Sequence, residues 1–181
     1  MTPEEAAMKI ERELLKDVPV SQSWGQWTWD TIKQSIRNNG NGVVGSQLIL
    51  LLALTGFPQG VHLLLQKGAD IETKSSDGRP ALSFAASSGK EGMIRLLLEK
   101  GSNINAKDNL GVTPLMRAAT FGDLAMVRLM VEKGADVSLI DFQGRAVLAY
   151  VSGSTTEMDQ FFRSKGVQGT RVRPTRTLNV F

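Results

Sequence analysis

A repeat of 33 residues is the feature that most constrains the fold of this chain. Glycine recurs at this interval in three separate series, and the longest contains Gly45, Gly78, Gly111 and Gly144. Leucine, alanine and lysine positions keep the same interval, so large, small and turn-forming residues stay in register. Periods of about 20–50 residues indicate similar units that bury their apolar faces against one another. The sequence therefore predicts a stack of such units.

The unit that begins at residue 111 predicts two helices joined by a turn. Thr113 suits the N-cap of the first helix, and Pro114 suits its first position, where no backbone N–H is needed. Gly122 ends this helix. The second helix covers roughly residues 124–133, and Gly134 ends it in the left-handed conformation. Each unit is thus predicted to consist of a helix, a turn, a second helix and an extended loop.

The same unit carries the segment Gly-Val-Thr-Pro-Leu-Met-Arg-Ala-Ala, from Gly111 to Ala119. This segment resembles the Thr-Pro-Leu-His-x-Ala signature of ankyrin repeats, a family with the same period. The resemblance covers residues 45 to about 167, as units 45–77, 78–110, 111–143 and 144–167. It implies an all-α fold, an ankyrin-type α-solenoid of about four stacked helix-turn-helix repeats. The histidine position of the family is occupied here by Leu50, Ser83, Met116 and Ala149.

The last unit departs from the strict interval. Its second helix aligns best at a spacing of 32, which pairs Met158, Phe161, Phe162 and Gly166 with Met126, Leu129, Met130 and Gly134. A deletion of one residue in the preceding loop explains the change of spacing. We expect the two phenylalanines to fill the final hydrophobic layer of the stack.

The two ends of the chain lie outside the repeats. Residues 1–44 contain a helical pattern and all three tryptophans, Trp24, Trp27 and Trp29. We expect them to form an N-terminal helical cap over the leucines of residues 48–54, because a solenoid needs covered ends. The alternative is that the tryptophans form an exposed ligand site. Residues 168–181 carry three arginines and no periodicity, which predicts a basic flexible tail.

Residue types that carry chemistry are scarce. The chain has no cysteine, which excludes disulfides and thiolate metal sites, and its only histidine is His62 in a solvent-facing position. The aspartates that precede or follow the repeat glycines, such as Asp70, Asp77, Asp108 and Asp136, occupy positions where side chains stabilise turns. We therefore predict a protein that is not an enzyme and that uses no catalytic residue, cofactor, metal or small-molecule substrate.

The first residues and the hydropathy pattern indicate where in the cell the protein is located. The chain begins with an acidic segment that does not resemble a signal peptide, and its longest apolar run, residues 48–54, is far shorter than the ~20 residues that span a bilayer. The sequence therefore predicts an intracellular protein, cytoplasmic or nuclear, that is monomeric when unbound.

The resemblance implies a protein–protein interaction module, acting as a stand-alone adaptor or inhibitor. Ankyrin relatives bind partners through the loop tips and the exposed concave side of the first helices. Carried over by position, the partner-binding residues are Lys74, Arg79, Lys107, Asn109, Leu110, Val112, Arg117, Phe121, Ile140, Phe142 and Arg145. Apolar residues surrounded by basic ones are typical of an interface centre with a charged rim. They predict a partner protein with an acidic surface.

Two alternatives stay open for these positions. The loop hydrophobes could pack against neighbouring loops, since scattered exposed apolar residues are common on protein surfaces. The basic tail could instead bind nucleic acid or an acidic membrane surface. We do not favour the tail alternative, because three arginines provide few phosphate contacts and no aromatic residues lie between them.

Overall fold

The computed structural model describes residues 43–66, 68–151 and 156–168. Within these ranges it contains α-helices, one short 3-10 helix, and loops with two isolated β-bridges. The helices are α1 (Val43–Thr55), α2 (Pro58–Gln66), α3 (Ala81–Ser87), α4 (Glu91–Glu99), α5 (Pro114–Phe121), α6 (Leu124–Glu132), η1 (Val147–Tyr150) and α7 (Thr156–Ser164). The predicted all-α architecture is confirmed.

The ends of α5 show why the sequence forms helices at these places. The hydroxyl of Thr113 accepts a hydrogen bond from the N–H of Met116 at 3.3 Å, and Pro114 occupies the first turn. At the other end Gly122 adopts a left-handed conformation with φ of 90°, which glycine reaches without a Cβ clash. Both ends are as the sequence predicts.

The helices stack in two rows. In the first row α3 packs between α1 and α5, and η1 continues the row beyond α5. In the second row α2, α4 and α6 each pack on the first helix of their own unit. Alanines of the first helices, such as Ala86 and Ala119, are fully buried, so small side chains permit the close approach of neighbouring units.

One continuous hydrophobic core runs through the stack. The second helices contribute large buried side chains such as Leu64, Leu97 and Met130. Burial of one such side chain stabilises the fold by about 1.5–3 kcal/mol. At the C-terminal end of the described stack Phe162 is fully buried and Phe161 is 9% exposed, which confirms the predicted final layer.

The first helix of the last unit differs from the prediction. Only the 3-10 helix Val147–Tyr150 forms where a full α-helix was expected. The N-cap residue, Ala146, has no side-chain acceptor for the first amides, and the backbone leaves the helical region at Val151, with φ of −66° and ψ of 114°. The absence of the Thr-Pro pair that starts α5 does not by itself account for the shorter helix, because α1 and α3 lack that pair and still form α-helices.

The predicted cap of residues 1–44 and the tail of residues 168–181 lie outside the described residues, apart from Gln168 and the start of α1. Helix α1 begins at Val43, slightly before the predicted unit boundary at residue 45. Within the described ranges, every helix is too short or too polar to cross a membrane.

Candidate functional site

Three short loops precede α3, α5 and η1, and they have the same internal structure. We call them tip 1 (residues 74–80), tip 2 (107–113) and tip 3 (140–146). Each contains two backbone hydrogen bonds. In the wider one the N–H groups of Ser75, Asp108 and Asp141 donate to the carbonyl oxygens of Arg79, Val112 and Arg145 at 3.0, 3.1 and 3.0 Å. Each turns at a glycine with positive φ, namely Gly78, Gly111 and Gly144. The repeat therefore presents three equivalent loops.

Hydrogen bonds between units join the tips into one surface. The ammonium of Lys74 donates to the carbonyl of Lys107 at 3.0 Å, and the ammonium of Lys107 donates to the carbonyl of Ile140 at 2.8 Å. The N–H of Phe142 donates to the carbonyl of Leu110 at 3.0 Å. These lysines, which the sequence assigned to a charged rim, thus also fix each tip against the next.

Asn109 adds two further links between tips 1 and 2. Its N–H donates to the carbonyl of Asp77 at 3.0 Å, and its side-chain amide donates to the carbonyl of Ser76 at 3.2 Å. Asn109 is nevertheless exposed. It therefore lies at the predicted surface while also holding two tips in register.

Large apolar side chains are exposed on tips 2 and 3. Leu110 is 59% exposed, Ile140 49% and Phe142 71%. The Phe142 ring lies close over Gly111, because a Cβ at that glycine would be 2.9 Å from Cδ1 of the ring. The ammonium of Lys107 is 5.9 Å from the ring centroid. We call Leu110, Ile140 and Phe142, together with Lys107, the tip patch.

Phe121 is exposed but does not join the tip patch. It lies at the C-terminal end of α5, about 10 Å along the helix from tip 2 at 1.5 Å per residue. Its ring covers Gly89 of the preceding unit, where an added Cβ would be 2.5 Å from Cζ of the ring. Phe121 therefore already packs against a neighbouring unit.

The prediction that Val112 contacts a partner is wrong. Val112 is only 2% exposed and packs in the hydrophobic core. Its N–H donates to the side chain of Asp108 at 2.9 Å, which holds it at the base of tip 2. The repeat alignment did not predict the burial of Val112, because the equivalent positions hold arginines. These residues, Arg79 and Arg145, are both partly exposed.

Two of the predicted rim arginines neutralise buried acids. Arg117 donates to Asp108 at 2.6 Å, and Arg145 donates through Nε to Asp141 at 2.6 Å. The two aspartates are 5% and 3% exposed. The sequence predicts Asp108 only as a turn residue and gives no prediction for Asp141. Asp108 and Asp141 are 33 residues apart, and an arginine follows each of them within ten residues. This pattern was the sequence feature that could have indicated two ion pairs.

Tyr150 completes the network of tip 3. Its hydroxyl donates to Asp141 and accepts from Arg145 at 2.9 Å. Burial raises the pKa of Asp141, but hydrogen bonds from Tyr150 and Arg145 outweigh this effect and leave that pKa below its ordinary value. Burial, and then the hydrogen bond to Asp141, raise the pKa of Tyr150 to about 12. The acid is thus held ionised and the phenol protonated.

Arg79 differs from Arg117 and Arg145. Its guanidinium stacks on the Phe84 ring at 4.2 Å and donates to the hydroxyl of Ser87 at 3.0 Å. Among the described residues it has no ion-pair partner, and its buried Nε, like that of Arg117, has no acceptor. Burial, followed by the charge of Arg117, lowers the pKa of Arg79.

The other described residues that could act as general bases or metal ligands do not form a cluster. His62 is exposed on α2 and is 3.0 Å from the side-chain amide of Gln66. Asp70 and Asp136 accept hydrogen bonds from N–H groups two residues ahead, as turn residues do. In the part of the chain that the structure describes, His, Asp and Glu side chains do not gather in threes as a metal site would require.

A family model of ankyrin repeats matches three copies over residues 49–141, just over half of the chain. The last unit, after residue 143, lies beyond the matched range. A search of curated proteins gives no match. Ankyrin repeats are in general protein–protein interaction modules and not catalytic domains. With its three matched copies and its stacked helix pairs, this chain belongs to the ankyrin repeat family.

Proposed function

We propose that the chain is an adaptor or inhibitor that binds a partner protein through the tip patch. The observation that carries the proposal is the exposure of three large apolar side chains on two adjacent tips. Contiguous exposed apolar residues mark interaction sites more often than scattered ones do. Leu110, Ile140 and Phe142 therefore form the centre of the proposed interface.

The tips are suited to binding because their backbone is already fixed. Hydrogen bonds from Lys74, Lys107 and Phe142 connect each tip to the next. A loop that is ordered before binding loses less conformational entropy when the complex forms. More of the free energy gained by burying the apolar side chains therefore contributes to the affinity for the partner.

The charges around the patch favour an acidic partner surface. Lys74 and Lys107 lie on tips 1 and 2, and Arg79 lies at the end of tip 1. Tip 1 carries Ser76 where tip 3 carries Phe142, so its contribution is polar. We infer a partner whose apolar centre meets tips 2 and 3 and whose acidic side faces tip 1.

The test is capture of proteins from a cell extract by the full chain and two variants. In the tip variant Leu110→Ser and Phe142→Ser remove the two most exposed apolar side chains of the patch. In the control variant Arg95→Ser removes an exposed side chain on α4, outside the predicted partner-binding residues. Thermal unfolding of all three proteins establishes that they are folded.

We expect a protein that the parent and the control retain and that the tip variant loses. Removal of central interface residues weakens binding by about tenfold or more. Equal retention by the tip variant would show that the patch is not the binding surface. Retention that falls steeply with salt in all three proteins would instead favour the basic tail, because phosphate-driven binding has that dependence.

A further inference from the structure

One position of the repeated tip holds an acid in two units and a hydroxyl in the third. Asp108 and Asp141 accept the N–H of Val112 and Arg145 at 2.9 and 2.8 Å, and in tip 1 Ser75 accepts the N–H of Arg79 at 3.1 Å. The three side chains therefore occupy the same place in the same turn. Tip 1 alone has no carboxylate there.

The missing acid leaves one guanidinium without an ion pair among the described residues, although the charges of Asp77 and Asp108 lie near enough to raise its pKa. Arg117 pairs with Asp108 and Arg145 pairs with Asp141, whereas Arg79 has no ion pair with any described residue. Arg79 still lies close enough to Arg117 for its pKa to be lowered by that charge, after the effect of burial. The first-helix side of the stack thus carries three arginines for two buried acids.

We propose that Arg79 is a specificity-determining residue that binds a carboxylate side chain of the partner protein. The carboxylate would take the role that Asp108 and Asp141 have in the neighbouring units. This inference rests on the proposed function for its partner, but the ability of Arg79 to accept a carboxylate is testable in the chain alone.

The surroundings of Arg79 favour a planar acceptor in a fixed direction. The Phe84 ring supports one face of the guanidinium at 4.2 Å, and Ser87 holds one nitrogen at 3.0 Å. The buried Nε has no acceptor, as is also the case for Nε of Arg117, so the proposal depends on the missing ion pair and not on this atom. A guanidinium held in this way binds a carboxylate through parallel hydrogen bonds, and a partly desolvated charge pair contributes strongly to specificity.

The first experiment supplies the acid within the chain by Ser75→Asp. The hydroxyl of Ser75 donates to Asp77, so the new carboxylate would face that acid. The substitution is therefore made with Asp77→Asn and compared with Asp77→Asn alone. We expect the melting temperature to rise by about 2–4 °C. In the background of Arg79→Met the rise should disappear. No rise, or an equal rise without the arginine, would overturn the proposal.

The second experiment selects random peptides displayed on phage against the full parent chain. We expect the selected peptides to be enriched in Asp and Glu. They should bind at least about tenfold more weakly to Arg79→Met and to Ser75→Asp/Asp77→Asn. The matched control is Arg95→Met, which removes an exposed arginine that already pairs with Glu91 at 2.7 Å. This control should bind as the parent does.

The two proposals fail in different ways. Peptides that require Leu110 and Phe142 but bind equally to the Arg79 variants would leave the tip patch intact and overturn the role of Arg79. Peptides that require Arg79 but not Leu110 or Phe142 would support the carboxylate site and contradict the patch. A selection without acidic enrichment would overturn the role of Arg79.

Discussion

At the scale of single residues, Asp141 is a buried carboxylate that holds tip 3 together. Its two oxygens accept from the N–H groups of Gln143 and Arg145, from the Arg145 guanidinium and from Tyr150. A buried charge with these partners favours the folded state only while it is ionised. The geometry of the exposed Phe142, the next residue, depends on this turn.

We expect Asp141→Asn to lower the stability by about 1–3 kcal/mol, because the amide keeps the turn but loses the charge that Arg145 and Tyr150 face. The pKa of Asp141 lies below its ordinary value of 3.8. Its contribution is therefore complete above that pH and is lost as the pH falls through the lower folded-state pKa. Thermal unfolding between neutral and strongly acid pH measures both effects.

The control for this prediction is Asp136→Asn, which changes an exposed turn aspartate. It should alter the melting temperature at neutral pH much less than Asp141→Asn does. A parent and an Asp141→Asn variant that lose stability in parallel below pH 3.8 would contradict the account of this acid.

Ser83 supports a second prediction at this scale. Its side chain is fully buried and its hydroxyl has no hydrogen-bond partner. A buried unpaired hydroxyl destabilises a fold by about 1–3 kcal/mol, so Ser83→Ala should leave the stability unchanged or raise it. Ser87→Ala is the comparison, because that hydroxyl pairs with Arg79 at 3.0 Å. Chemical denaturation that shows Ser83→Ala to be the more damaging substitution would refute this expectation.

At the scale of the elements, glycine conformation decides where helices end. Gly134 follows α6 with φ of 96°, whereas Gly92 lies inside α4. An added Cβ meets no atom within 4 Å at either position. The two glycines thus differ in backbone conformation and not in available space.

We expect Gly134→Ala to destabilise the chain by about 1–2 kcal/mol, because an L-residue is strained in the left-handed region. Gly92→Ala should stabilise it by about 0.5–1 kcal/mol, because alanine loses less backbone freedom in a helix. Denaturant unfolding of both variants provides the measurement. Similar effects of the two substitutions would show that Gly134 is not needed for the turn.

The helices differ in how well the sequence predicts them. Thr113, Pro114 and Gly122 specify α5 through local rules, so that helix was predictable with both its ends. The short helix Val147–Tyr150 was not, because α1 and α3 also lack the Thr-Pro pair and still form α-helices. The buried layer of Phe161 and Phe162 followed from spacing alone.

The candidate site was predictable only in part. Exposure of Leu110, Ile140 and Phe142 followed from their loop positions. Burial of Val112 and the pairing of Arg145 with Asp141 did not, because both depend on how a tip folds back on its own helix. Repeat alignment gives equivalent positions, but it does not give the direction of side chains within them.

At the scale of the whole molecule, stacking of the 33-residue units places the tips in one row. Among the described elements, the extensive contacts lie within a unit or between adjacent units, as in other repeat proteins, and the tips follow the same order. Polar residues lie on tip 1 and exposed apolar ones on tips 2 and 3. The binding surface we propose is therefore graded along the stack, with a charged end at Arg79 and an apolar end at Phe142.

The most direct test of the central claim is photocrosslinking from the tip patch. Phe142 is replaced by p-benzoylphenylalanine in the full chain, and the product is irradiated in a cell extract beside a chain with the same residue at His62 on α2. Our account predicts a crosslinked protein of defined mass from position 142, abolished by excess parent chain and weakened by Leu110→Ser. The same product from position 62 alone, or a product at position 142 that excess parent chain does not reduce, would contradict it.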